Sequence, residues 1–299
     1  MADLERPFPN ANVLLDRVMD ICPFPETAQH LMSLVNDESA TFDGIAAAVQ
    51  CDPALATQVL RVANSAVFRP AAAEPVRDLR QALVTIGISE LRIMAGAMAL
   101  LATFASRDEL SLDLHRTSAV SGSVAAAIVP AALDVPRSLP LICGLLCEVG
   151  ALACLAVDGP GYVALWLRTA KAATGQRWTA DSPRARDQHE IKRYGITTRS
   201  IGARLLRRHK LPNEIAAAIE ASPESGRDAP VVHRATAFAR IATGLVIEAL
   251  KSQDSAALAE QMKAVAQMTS LVEVEVPDLM RRCVLAADSM DRTLRATRQ

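Results

Sequence analysis

The 299-residue sequence predicts an all-α protein, and three observations carry that prediction. The apolar half of the chain (51%) is supplied by Ala, Leu, Val and Ile, with aromatic residues at only 3%. Such a composition suits helices packed closely on one another better than a sandwich or barrel. Cap and stop residues recur at helical spacing almost from end to end. No alternating run is long enough to commit to a sheet; Ser270–Val276 (SLVEVEV) is a local candidate only.

In chain order, Asp52-Pro53 places a side-chain acceptor at an N-cap and a fixed φ at the first helical position. Leu55, Val59, Val62 and Ala66 follow on one stripe. Asp78 caps the next helix, whose Leu79, Leu83 and Ile86 share a face and whose stop is Gly87. Ser89 with Arg92 opens a third, which runs through Leu91, Met94, Met98 and Leu101. It is apolar nearly all round and therefore central. Ser111 starts a helix to about Pro130, and Pro140 begins a Cys-rich one. Gly159-Pro160-Gly161 reads as a turn before a helix that stops at Gly175. The polar run Gln176–Asp187, with Arg177, Arg184 and Arg186, reads as a long exposed loop. Helices resume near Gln188–Tyr194, Thr197–Lys210 and Pro212–Ala221, and Ser222–Pro230 is the clearest linker. Two or three helices follow, the last with Arg292, Arg295 and Arg298 at helical spacing.

Length and apolar content exclude disorder as the global state, since a chain of this size buries about 75% of its unfolded surface. A net charge of −1, 32 basic against 33 acidic residues, argues against a nucleic-acid sleeve. The start MADLERPFPN has no apolar stretch behind a basic cap, so it is not read as a secretory signal. Leu139–Val157 is 19 residues long but carries Pro140 and a central Glu148, so a buried core helix is expected there. Such a lone carboxyl on an apolar helix is expected to be neutral or paired with an Arg or a hydroxyl of a neighbouring helix. The six cysteines form no CxxC pair and read as reduced thiols, which suits a cytoplasmic protein.

Generic motifs contribute little. There is no P-loop and no GxGxxG. His189-Glu190 begins an HExxH-like run, but Arg193 stands at the second ligand position and a cation cannot ligate zinc. Cys143, Cys147 and Cys154 share a helical face, which favours apolar packing over a soft-metal or redox site. Arg204, Arg207, Arg208, His209 and Lys210 cluster at a helix end. A solvated face in register with the helix dipole is the plainer reading, and a nucleic-acid or phosphoprotein contact is the sharper one.

Several segments resemble the bacterial HDOD domains, relatives of the HD metal-dependent phosphohydrolases. PFPETAQHLMSLVND (Pro23–Asp37) is similar to the family's opening helix, and CDPALATQVLRVANSAVF (Cys51–Phe68) to its most distinctive segment. DLRQALVTIGISELRIMAGAMAL (Asp78–Leu100) resembles the helix, Gly turn and helix that follow, and RLLRRHKLPNEIAAAI (Arg204–Ile219) the Leu-Pro junction. The resemblance implies an N-terminal helical subdomain (21–106) packed on a degenerate HD-like helical subdomain (107–250). A lead (1–20) precedes them and a C-terminal helical extension (251–299) follows.

The catalytic relatives hold divalent metals with a His, a His-Asp pair and a later Asp. In this sequence the corresponding positions are Thr117, Cys147-Glu148 and Thr236, with Thr198 and Ser222 where other histidines occur in relatives. Only Glu148 keeps a hard-cation ligand type. The resemblance therefore implies a non-catalytic regulatory protein without metal or cofactor. Its expected partners are signalling proteins, such as a response regulator or a cyclic-dinucleotide enzyme; membrane and nucleic acid are not expected, and a homodimer is left open. Asp52, Asn64, Ser65 and Arg69, with Arg204, Arg207 and Arg208, are the candidate partner-binding residues. For Asn64 and Ser65, a hydrogen-bonded helix exit is the favoured alternative. Three other functions stay open: a residual phosphohydrolase using Glu148, a nucleotide or cyclic-dinucleotide sensor in the vacated metal pocket, and a nucleic-acid binder through the basic cluster.

Overall fold

The computed structural model describes residues 8, 11–21, 41–51, 56, 59–60, 63–64, 74–104, 108–129, 135–136, 138–172, 182–222, 226–252, 255–269 and 281. Among the described residues every regular element is a helix. The first four are α1 (Ala11–Asp20), α2 (Phe42–Gln50), α3 (Leu79–Ile86) and α4 (Ile88–Thr103). The middle of the chain holds α5 (Glu109–Ile128), α6 (Ser138–Leu145), α7 (Val149–Val157) and α8 (Gly159–Ala172). Last come α9 (Ser182–Tyr194), α10 (Thr198–Arg208), α11 (Asn213–Glu220), α12 (Val231–Ser252) and α13 (Ser255–Met268). Asp52, Ser65, Arg69, the Ser270–Val276 strand candidate and the terminal arginines lie outside the described residues.

Several boundaries follow from local chemistry. The Asp78 Oδ2 accepts from the Gln81 amide at 2.8 Å, and Gly87, at φ 88°, ends α3 where an L side chain would be strained. The cap of α5 is Asp108, three residues ahead of the expected Ser111, whose amide it receives at 2.8 Å. Gly159-Pro160-Gly161 is the first turn of α8 and not a turn before it. A proline there lacks only an N–H that a first helical turn leaves unpaired.

The expected helix from Pro140 through Val157 is two helices. The Cys147 amide donates to Gly144 O and the Val149 amide to Leu146 O, three-residue steps that tighten the chain. Glu148 sits between them at φ −106°, ψ 7°, in the sparsely populated bridge region. The stretch Ser138–Val157 is long and apolar enough to cross a membrane by length and composition, yet 72% of its 18-residue apolar window is buried inside the fold.

Two further differences matter for the site. Residues 182–187 were expected in an exposed loop but form the first half of α9, and Arg186 is only 2% exposed. The sequence also concealed α1, whose apolar stripe is only Leu14, Leu15 and Val18. That stripe packs on α7, while the Phe8 amide donates to Arg193 O at 2.7 Å.

Small residues let the central helices touch backbone to backbone. A Cβ on Gly144 of α6 would meet Ser121 O of α5 at 2.4 Å. One on Gly150 of α7 would meet Thr198 O of α10 at 1.8 Å. This second crossing sets the N-terminal ends of α7 and α10 side by side. Glu148 is thereby brought up to Thr198 and its neighbours.

Candidate functional site

Glu148 is 1% exposed, and each of its carboxylate oxygens is taken by an arginine. Arg186 Nη2 of α9 donates to Oε2 at 2.9 Å, and Arg240 Nε of α12 donates to Oε1 at 2.8 Å. Arg186 is itself shared. Its Nε lies 3.3 Å from Oε1 of Glu190, one turn along α9, close enough to pair in charge but outside hydrogen-bond geometry. Its guanidinium also lies over the Trp166 ring, 5.4 Å from the centroid.

Glu190 is fully buried and is held from α10 and α8. The Thr198 amide donates to its Oε2 at 2.8 Å, while Thr198 Oγ1 at 2.9 Å and the Tyr162 hydroxyl at 3.3 Å donate to its Oε1. Two carboxyls and two guanidinium groups thus share one interior site. Burial pushes both carboxyls up from the usual range and the Arg186 guanidinium opposes it; Glu190 comes to about 7. The neighbouring carboxylates in turn keep Arg186 charged despite its burial.

The structure gathers four of the six degenerate ligand positions. Cys147 and Thr236 line a small cavity with Arg199 and Arg240, beside Glu148, and Thr198 binds Glu190. Thr117 is half-buried on α5, and Ser222 is exposed past α11. The cavity, about 10 Å³, admits about one water molecule and has no room for a nucleotide. Beside it Arg199 is engaged with Asp187 and with the carbonyls of Glu220 and Ala221, which it caps at the end of α11.

This donor set does not fit a divalent metal. Burial pushes the Cys147 thiol well up, so the thiolate that binds metal is disfavoured. The Thr236 hydroxyl donates to Val232 O at 2.8 Å, and both Glu148 oxygens already accept from guanidinium groups. Among the described residues, no three His, Cys, Asp or Glu side chains are grouped to hold a metal ion.

The remaining candidates are spread over the molecule. The Asn64 amide is spent inside the chain: Nδ2 donates to Leu60 O and Val76 O, and Oδ1 accepts from the Val76 amide. Arg204, Arg207 and Arg208 are exposed on α10, with Arg207 bound to Asn213 Oδ1 at 3.1 Å and Glu220 Oε2 at 2.7 Å. Arg193, at the second position of the HExxH-like run, pairs with Asp158 at 2.8 Å. Cys143 and Cys154 are buried thiols in the core. Sequence reasoning missed Arg186, Glu190, Arg240 and Tyr162. Arg240 had a usable signal, since it interrupts the apolar run ATAFARIATG just as Glu148 interrupts its own.

The HDOD domain model matches residues 21–224. No curated protein sequence matches the chain. Among solved structures, a candidate phosphohydrolase from Shewanella amazonensis SB2B is similar at TM-score 0.66 and 20% identity, over 94% of this chain and 97% of that one. An HDOD domain protein of unknown function from Geobacter sulfurreducens matches at TM-score 0.59 and 18% identity, over 93% and 97%. A candidate signal transduction protein from Marinobacter aquaeolei VT8 matches at 0.57 and 21%, over 97% and 68%. Likeness at these identities shows a shared fold.

Proposed function

The chain belongs to the HDOD domain family, and on that premise we propose that it is a non-catalytic, cytoplasmic regulator of bacterial signal transduction that acts by protein–protein contact. The observation that supports this reading is the state of Glu148. It is the one hard-cation ligand left among the degenerate positions, and two buried arginines occupy both its oxygens. A phosphohydrolase of the HD type needs metal-bound water at such a place. A sensor of nucleotides in the vacated pocket draws no support from a cavity the size of a water molecule. A structure with this fold that is described as a candidate signal transduction protein is in keeping with the proposal.

The partner we assign is a signalling protein, a response regulator or a cyclic-dinucleotide enzyme, with an acidic surface that meets Arg204 and Arg208 on the exposed side of α10. In the host, cross-linking followed by mass spectrometry should enrich one such protein, and Arg204→Glu with Arg208→Glu should abolish that enrichment. The purified chain should release no phosphate from nucleotides or cyclic dinucleotides with Mn²⁺, Mg²⁺ or Fe²⁺. Metal-dependent phosphate release would overturn the proposal.

A further inference from the structure

Glu148 is the last residue before α7, Arg186 lies 38 positions later on α9, and Arg240 lies 92 positions later on α12. All three side chains are at least nine-tenths buried. Without its partners Glu148 would be an isolated carboxylate in an apolar interior, which folding does not tolerate. A divalent cation on such a carboxylate brings two positive charges and joins the elements that ligate it. Arg186 and Arg240 bring the same two charges, on side chains of the chain itself.

We infer that the paired guanidinium groups of Arg186 and Arg240 are a built-in replacement for a metal ion at Glu148, tying α7, α9 and α12 together without any bound cation. The inference rests on the reading that this donor set takes no metal, and extends it from a loss to a substitution. Two observations beyond the ion pairs carry it. Arg240 lines the same cavity as Cys147 and Thr236, so its side chain lies where the altered ligand positions converge. The centre also holds a second carboxyl, because Glu190 lies beside Arg186 and is itself hydrogen-bonded by Thr198. One further substituted position, Thr198, therefore serves the arginine centre through Glu190. The consequence is a fold whose integrity is indifferent to metal supply.

The test is thermal melting of the full chain at pH 7.5, with and without EDTA and with added Mn²⁺. The wild-type midpoint should be the same in all three conditions. Arg240→Met should lower it by about 10 °C, since it strips one partner from a buried carboxylate. Glu148→Gln, nearly isosteric, should lower it as well, and the double variant E148Q/R240M should lose less than the two single losses added. Additive losses, or a Glu148→Gln midpoint equal to the wild type, would overturn the inference and leave the proposed function standing. A wild-type midpoint raised by Mn²⁺ or lowered by EDTA would overturn both. If Arg240→Met does not fold, the Glu148→Gln midpoint decides alone.

Discussion

The buried centre around Glu148 and the exposed end of α10 are built from the same two residue types at nearly the same distances. Arg186 meets Glu148 at 2.9 Å, and Arg207 meets Glu220 at 2.7 Å. Distance does not separate them, but exposure does: the inner side chains are 2% and 1% exposed, the outer ones 42% and 36%. At the surface, water replaces a lost partner and salt screens what remains. In the interior nothing replaces it, so each charge is committed to its partner and the helices that carry them are joined. An arginine in this fold is therefore committed to its partner or replaceable by water according to where its helix face points. The Glu148 centre falls on the first side of that division.

The sharpest way to break this comparison is to remove the shared arginine. Arg186→Ala deprives Glu148 of one partner and Glu190 of its counter-charge while also emptying the space over Trp166. A loss of about 3–5 kcal/mol is expected, at the scale of breaking a buried pair. Urea unfolding followed by circular dichroism measures it. A loss below about 1 kcal/mol would place the buried centre in the same class as the surface pair.

Titration sharpens the same contrast from the carboxyl side. Glu190 is raised from 4.5 to about 7 in the folded chain, chiefly by burial. The native state therefore binds the proton more tightly than the unfolded state. The stability it contributes is complete below about pH 4.5 and is lost as pH rises through about 7. Between pH 5 and pH 8 the wild type should lose about 3 kcal/mol on this account. Glu190→Gln keeps an acceptor for the Thr198 amide but cannot ionise, so its stability should vary much less over the same range. Equal slopes for the two proteins in parallel urea titrations would show that Glu190 stays ionised beside Arg186.

How much of this was legible in the sequence depends on where the contrast lay. Asp78 and Gly87 mark α3 because a cap acts within four residues, and α4 showed itself by being apolar all round. Glu148 stood out as one charge in an apolar run; of the states expected for it, neutral or paired with an arginine or a hydroxyl, the arginine pairing is found, and found twice. Its partner on α9 was hidden because periodicity is read from apolar residues. The buried face of α9 is Arg186, Glu190 and Tyr194, at i, i+4 and i+8, so its inward stripe is largely charged. A polar stretch with a charged inner face looks the same as a loop until the opposite charge from another element is in view. The break at Glu148 was hidden for a related reason, since a tight turn inside an apolar run leaves the composition unchanged.

The smallest effect belongs to the surface pair. Arg207 reaches Asn213 and Glu220 from the last turn of α10, where its charge also faces the carbonyl end of the helix dipole. Both partners keep water when it is gone, so Arg207→Ala should cost less than about 1 kcal/mol. Raising the salt should shrink even that difference, because screening shortens the reach of exposed charges to about 3 Å at 1 M. Urea melts at low and high salt measure both. A loss comparable with Arg186→Ala, unchanged by salt, would mean that the end of α10 is sealed from solvent and belongs with the buried centre. A small, salt-sensitive loss leaves its arginines available for a partner, because the fold then holds without them.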